Sequence, residues 1–460
     1  MIDKIINEIN KKNNILILGF AREGISTYNL IRKYLKDKHL TIADLNTELL
    51  NINPFLKEDK NVNIILGDKY LDNLDTYDYI IKSPGINLKQ IDVTNIKSKI
   101  TSQTGLFLKY KNVKVIGITG TKGKSTTTSL IYEILKKCNK KPVLLGNIGI
   151  PIFSEIENIK KNNIVVLELS CHQLQYTDAS PNISILLNVY EEHLDLYKSY
   201  EEYINAKLNI FKYQNKEDYK IWEIDSRDSY NNLKLDNNTF EITFNKDKIR
   251  GYKGVYLDNN KLYLKEGNNN KIIYNTKVKR LIIGEHNLYN IAAAFAVAII
   301  LKLNITKVSK IINKFKPLEH RLEYVGRYKK IDFYNDSIAT IPRATINCIK
   351  SISNIDTVII GGMNREVNLN ELVEFLNNNQ CTLNNCIMLP ETGHIISKDI
   401  KNKNVYIVND MEEAVETAYK VTSKNKACAL SPSAASYNVY KNFEERGRHY
   451  KELIDKYSKR

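Results

Sequence analysis

Six cysteines stand in 460 residues, at positions 138, 171, 348, 381, 386 and 428, and none of them forms a C-x-x-C pair. The commonest zinc-ligand spacing is therefore missing; Cys381 and Cys386 are the one close pair, and reduced thiols of a cytosolic protein explain the set better. Long apolar runs are absent too. The longest, residues 291–301, is alanine-rich and too short to span a bilayer, so it reads as a buried helix. The start M-I-D-K-I-I-N-E-I-N is charged and amphipathic, unlike a signal peptide, and the expected location is the cytoplasm. No stretch holds five or six like charges in a row, although the formal net charge is +16 and the pI about 9.2. Lysine is dispersed among abundant Asn and Ile, a compositional bias rather than a binding stripe. This argues against nucleic acid or a membrane as partner and leaves a polyanionic small substrate open.

What is present is an ordinary globular composition, 43% hydrophobic and 26% charged, in a chain too long for one core. Two or three domains are expected. Apolar runs at 14–19, 39–44, 62–66 and 78–82, with a helical pattern at 24–36, follow βαβ grammar and predict a mainly parallel sheet covered by helices. The first turn runs from Gly19 to Gly24 and keeps two glycines of G-x-G-x-x-G, with Ala21 in the middle. Asp44 ends the next strand, where a ribose-binding acid would sit. Ser83-Pro84-Gly85 follows the strand at 78–82, at the end of a parallel strand where ligands bind in open α/β sheets. A nicotinamide cofactor is one reading of this half, and a uridine nucleotide is at least as good.

Residues 115–128 read V-I-G-I-T-G-T-K-G-K-S-T-T-T. A strand that ends in such a turn and feeds a helix, here to about Cys138, aims backbone N–H groups, the helix dipole and a lysine at one spot. That spot suits triphosphate. Gly120, Thr121, Lys122, Gly123, Lys124, Ser125 and Thr126 make up the loop. The G-x-x-x-x-G-K-[ST] pattern is not fully met, because Ile118 stands where its first glycine belongs.

Two strands come next. I-V-V-L-E-L-S (164–170) is an apolar strand carrying Glu168, and the run at 183–197 is a second strand, ended by Asn188, that exits into Glu191, Glu192, His193 and Asp195. A carboxylate inside an apolar strand is costly unless it is paired or faces a cation. Beside a phosphate loop that cation is Mg²⁺ with its waters.

The segments G-N-I-G-I-P (146–151), E-L-S-C-H-Q-L (168–174), N-V-Y-E-E-H-L-D (188–195), A-K-L-N-I-F (206–211), G-E-H-N-L-Y-N-I-A-A-A (284–294), E-H-R-L-E (319–323), N-D-S-I-A-T (335–340) and L-S-P-S-A-A-S-Y-N-V-Y-K-N-F-E-E-R-G (430–447) resemble, in order, the motifs of the Mur ligase family. Within it they resemble the branch that adds glutamate to UDP-N-acetylmuramoyl-L-alanine. The resemblance covers nearly the whole chain. It implies an α/β fold of three domains: a Rossmann-like uridine-nucleotide domain (1–110), a central ATPase domain with a mostly parallel sheet plus a small antiparallel sheet (111–316), and a Rossmann-like glutamate-binding domain (317–460). It also implies ATP, two Mg²⁺ ions and a monomeric enzyme of peptidoglycan precursor synthesis.

Residue by residue, the resemblance implies that Lys124 neutralises the β/γ-phosphates while Ser125 and Glu168 hold one Mg²⁺ and His193 helps hold a second. Lys207 matches a lysine that the family carbamylates with CO₂. Asn287 and Asn290, at i and i+3, match adenine-side contacts. Arg321 and Asp336 match contacts made with ATP when the third domain closes, and Asn147 a contact to the acceptor. In the implied reaction the γ-phosphoryl group moves to the alanyl carboxylate, and the glutamate amine then attacks the acyl phosphate.

The amino-acid pocket departs from the family pattern. Ile338 stands where most members have a lysine that contacts glutamate, whereas Thr340, Ser436 and Phe443 match and Arg365 replaces another lysine. Arg343, just after Pro342, is the candidate replacement cation, with a solvated helix arginine as the alternative. The hand of the glutamate, D or L, stays open. So does another amide ligase such as folylpolyglutamate synthase, although that enzyme would not need a nucleotide-type domain at 1–110. The D-N-P-R-type motif of the relative that adds diaminopimelate or lysine is not found. A basic P-loop ATPase acting on nucleic acid would call for basic-aromatic clusters. Residues 213–280, with the sole tryptophan (Trp222) and a hairpin-like stretch at 255–264, predict helix, loop and a small antiparallel sheet without chemistry.

Overall fold

A computed structural model describes residues 1–146, 150–192, 196–226, 235–365 and 367–459. They gather into two compact units, Met1–Lys277 with Tyr289–Ile312, and Val278–Leu288 with Asn313–Arg460. The first unit holds two of the three sheets.

Five short strands build the first sheet: β1 (Ile15–Leu18), β2 (Leu40–Asp44), β3 (Val62–Leu66), β4 (Tyr79–Lys82) and β5 (Ile100–Thr101). All pair in parallel, in the order β3-β2-β1-β4-β5. All four residues of β1 are buried, as an apolar run covered on both faces requires. The order reverses at β1, so a crevice opens beyond the carboxyl ends of β1 and β4, where Leu18 pairs with Lys82. The helix read at 24–36 is Arg22–Tyr34.

The second sheet has nine strands: β6 (Lys114–Thr119), β7 (Lys141–Gly146), β8 (Asn163–Glu168), β9 (Ile183–Leu186), β10 (Tyr219–Glu223), β11 (Thr239–Thr243), β12 (Lys253–Asp258), β13 (Lys261–Glu266) and β14 (Asn269–Asn275). Its order is β14-β13-β12-β11-β10-β9-β6-β8-β7, parallel from β7 through β12 and antiparallel beyond. β6 therefore lies between β8 and β9, with Ile118 opposite Glu168. The antiparallel part predicted for 255–264 continues the main sheet; its hairpin turns at Asn259 and Asn260, both left-handed (φ 47° and 60°), as a type I′ turn demands. β9 is shorter than its apolar run. Past Leu186 the backbone serves the phosphate loop instead of a strand: Leu187 N–H donates to Thr119 O and Thr121 N–H to Asn188 O.

The third sheet, in the second unit, consists of β15 (Glu323–Tyr328), β16 (Ile331–Asn335), β17 (Ile355–Gly362), β18 (Asn385–Glu391), β19 (Asn404–Ile407) and β20 (Ala427–Leu430). Its order is β15-β16-β20-β17-β18-β19, parallel except for the β15–β16 edge. Every residue of β17 is buried. Among the described residues no helix is long and apolar enough to cross a membrane, and residues 291–301 fall on the helix His286–Ile300 and the residue after it.

Gly117 sits mid-strand in β6, and a Cβ there would lie 2.3 Å from Pro181 Cγ. Gly117→Ala is expected to cost about 1–3 kcal/mol by overpacking, read as a lower urea midpoint at unchanged slope.

Candidate active site

At the end of β6 the chain turns through Gly120 (φ 151°) and Gly123 (φ 87°) into the helix Lys124–Lys137. Both positions exclude a side chain: a Cβ on Gly120 would meet Leu187 Cβ at 2.8 Å, and one on Gly123 would meet Asn290 Oδ1 at 2.4 Å. The missing first glycine therefore costs the turn nothing, because Ile118 lies inside β6. Asn188 braces the loop from the second strand. Its side-chain oxygen accepts from Lys122 N–H at 2.8 Å and its amide donates to Lys122 O at 3.2 Å. Thr121 Oγ1 lies 2.9 Å from the Tyr203 hydroxyl, and Lys122 pairs with Glu192 at 2.6 Å in an exposed ion pair.

Two lysines converge on one carbonyl. Lys124 Nζ donates to Gly120 O (2.9 Å) and Thr121 O (3.0 Å), and Lys207 Nζ, from the helix Tyr200–Lys212, donates to Gly120 O at 3.0 Å. Lys207 is fully buried. Burial, and after it the charge of Lys124, pushes its pKa down to about 7. The ring of Tyr203, one helical turn back, lies 4.6 Å from its ammonium. Burial also lowers Lys124, opposed by the carboxylate of Glu168. Glu168 is 1% exposed at the end of β8, and Ser170 with Gln173 closes a capping box immediately after it. Ser125 lies half-buried in the first turn of the loop helix, and Thr126 is buried there.

The remaining expectations fall into three places. In the first sheet, Gly19 (φ 86°) touches the second loop: Ser83 Oγ donates to Gly19 O at 2.7 Å, and a Cβ on Gly19 would strike Ile86 and Ser83. Pro84 is half-buried and Gly85 exposed beside them. Asp44 accepts from Phe20 N–H at 2.6 Å and Asn46 N–H at 2.8 Å, so it also fixes the glycine turn. Near the phosphate loop, Asn290 Oδ1 accepts from Thr127 Oγ1 at 3.0 Å. Asn287 belongs to the second unit and donates to Ile283 O at 2.6 Å. His193 and Asn147 lie outside the described residues.

In the second unit, Thr340 and Arg365 line one small pocket together with Asn364, Thr392 and Ser433. Ser436, Phe443 and Arg343 are not part of its lining. Arg343 is exposed in the first turn of the helix Pro342–Ser351, and Ile338 donates its N–H to His320 O. Asp336 accepts from Leu322 N–H and Ser431 Oγ, both at 3.0 Å, and burial pushes its pKa up to about 7 against the pull of Arg321. Tyr203, Thr392 and Ser433 escaped the sequence reading. Only Tyr203 left a signal, its i, i+4 spacing to Lys207.

The class is that of the Mur ligases. The model of the Mur ligase middle domain matches residues 118–298, which contain the loop, Glu168 and Lys207. In fold the chain is similar to MurF ligase from Thermotoga maritima, solved in complex with ADP (TM-score 0.60, 15% identity, 97% of this chain and 95% of that one). UDP-N-acetylmuramoylalanine–D-glutamate ligase of Clostridium botulinum (strain 657 / Type Ba4) is 36% identical over 459 residues, 97% of each chain. The enzyme of that name from Clostridioides difficile (strain 630) is 34% identical over 97% of this chain and 99% of its own. The chain belongs to the UDP-N-acetylmuramoylalanine–D-glutamate ligase family.

The lowered pKa of Lys207 carries a stability signature. Between about pH 7 and the ordinary lysine value of 10.5 the unfolded chain binds the proton and the folded chain does not, so this group makes stability rise with pH across that window. In CO₂-free buffer, chemical unfolding should show the wild type gaining about 2–4 kcal/mol on Lys207→Met between pH 7 and 10. A constant difference would contradict the assignment.

Proposed function

We propose that the chain is an ATP-dependent ligase that joins D-glutamate to UDP-N-acetylmuramoyl-L-alanine in peptidoglycan precursor synthesis. The convergence of Lys124 and Lys207 on the Gly120 carbonyl beside Glu168 carries this reading. The loop N–H groups, the helix dipole and Lys124 favour the polyphosphate of ATP and the charge gathering on the transferring phosphoryl group. The γ-phosphoryl group passes to the alanyl carboxylate; the glutamate amine attacks the acyl phosphate and phosphate leaves.

Ser125 and Glu168 are oxygen donors at the lip of the loop, the donor type that suits Mg²⁺ with waters and phosphate oxygens. Among the described residues no three His, Cys, Asp or Glu cluster to hold a metal alone. Bound there, Mg²⁺ would offset phosphate charge; by the resemblance His193 would serve a second ion. Lys207 suits carbamylation because burial supplies its neutral amine near pH 7. Its lone pair attacks CO₂, a proton leaves to solvent, and an anion replaces the second cation beside Lys124.

Gly19, Asp44, Ser83, Pro84, Gly85 and Asn147 would bind the acceptor. Asn287, Asn290, Arg321 and Asp336 would serve ATP, and Thr340, Arg365, Ser436 and Phe443 glutamate, with Arg343 as a further cation. We take 1–110, 111–316 and 317–460 as the working domains. We also take a monomer as the working unit, because all these residues lie on one chain, and the cytoplasm, which holds ATP and uridine nucleotides, as its location.

Purified protein with ATP, Mg²⁺ and UDP-N-acetylmuramoyl-L-alanine is expected to release phosphate on addition of D-glutamate and not L-glutamate. Release with neither removes the assignment, and release with L alone reverses the stereochemistry. Lys124→Ala should lower turnover roughly 10³-fold or more without changing the unfolding midpoint. Carbon-13 NMR in labelled bicarbonate should show a carbamate resonance that Lys207→Ala lacks.

A further inference from the structure

Lys82 ends β4, directly opposite Leu18 at the end of β1. These are the two strands between which the order of the first sheet reverses, and the crevice beyond them is where an α/β sheet receives a ligand. The side chain is 4% exposed. Among the described residues its ammonium makes one hydrogen bond, 3.2 Å to Ser83 O, and it lies 5.7 Å from the ring of Tyr176. Among the described residues no carboxylate comes within ion-pair distance of it.

Glu23 is the acid that acts on Lys82 electrostatically, but it stands beyond ion-pair distance. Gln173 Nε2 donates to Glu23 Oε1 at 2.9 Å while Oε2 is buried without a hydrogen-bond partner among the described residues, and burial raises the Glu23 carboxyl above its ordinary value, so this acid answers the ammonium only in part. Burial likewise lowers Lys82 to about 8. An ammonium has three donors, and enclosing one with a single carbonyl is costly unless an anion arrives to take the others. That carbonyl belongs to Ser83, whose hydroxyl binds the glycine turn of β1. Lys82 is thereby tied to the junction of both loops that carry the acceptor site.

We propose that Lys82 binds the diphosphate of the nucleotide-sugar acceptor. This rests on the acceptor assignment above. Ser83 O holds the ammonium at the strand end, and the two remaining N–H donors take phosphate oxygens. The positive charge that the empty protein encloses at a cost is then neutralised by the substrate, so part of the diphosphate affinity is relief of that cost.

The test compares Lys82→Met with the wild type by calorimetric titration of UDP and of uridine, and by KM values in the phosphate-release assay. UDP affinity should fall roughly 10- to 100-fold, the range for loss of hydrogen bonds to a charged group, while uridine affinity stays within twofold. KM for UDP-N-acetylmuramoyl-L-alanine should rise by the same factor, with KM for ATP and glutamate unmoved. The ligand-free variant should unfold at the same or a higher urea concentration, because an enclosed charge has been removed; marked destabilisation would give Lys82 a structural role and overturn the proposal. Unchanged UDP affinity overturns it too, including the case where acceptor affinity alone falls and the anion is the alanyl carboxylate. A wild type that binds UDP but releases no phosphate with the acceptor and either glutamate removes the ligase reading and leaves the diphosphate site standing.

Discussion

Two lysine side-chain amines share the carbonyl of Gly120, and this crowding sets the terms for everything around it. Like charges at such separation repel, and a neutral carbonyl answers them only in part. The arrangement persists because the backbone beneath it is braced independently. Asn188 satisfies Lys122 on both sides of its peptide, Thr121 is held by Asn188 O and the Tyr203 hydroxyl, and the two glycines pack against Leu187 and Asn290 with no room for a side chain. β9 has to stop at Leu186 so that residues 187 and 188 can do this. The helix Tyr200–Lys212 has to bury Lys207 and Tyr203 one turn apart. What results is a loop shaped for anions before any anion is bound.

Parallel strands covered on both faces are continuous apolar runs, and for that reason β1, β2, β4, β6 and β8 could be read from the chain almost to the residue. Glu168 was legible on the same ground, a charge where the run admits none. Elements whose limits are set by partners were not. The end of β9 is decided by hydrogen bonds to Thr119 and Thr121, far away in sequence, and no local pattern records them.

One pocket of the second unit was legible in part. Thr340 and Arg365, which were read from two separate motifs, both line it. Thr392 and Ser433 joined them only through the fold, because β17, β18 and β20 bring their carboxyl ends to one place. Asp44 shows the reverse case. A strand-end acid suggests a ribose contact, and in the fold its carboxylate already holds Phe20 and Asn46, so any ligand must share it.

Net charge gave no guide to which lysines matter. Of 68 basic residues most are solvated and equivalent, whereas Lys82, Lys124 and Lys207 share three traits. Each stands near the carboxyl end of a parallel strand or is turned toward one, each donates to main-chain carbonyls, and each has its pKa lowered chiefly by burial. Bonding to carbonyls is not enough by itself. Lys111 binds Leu108 O and Ser180 O and is also lowered by burial, yet it precedes β6 at the amino end of the strand, where it fastens two segments together. Position relative to the sheet separates the two kinds. At the amino end a lysine that gathers carbonyls closes a joint; at the carboxyl end, where the strands open into a crevice, the same bonding leaves donors for a ligand to fill.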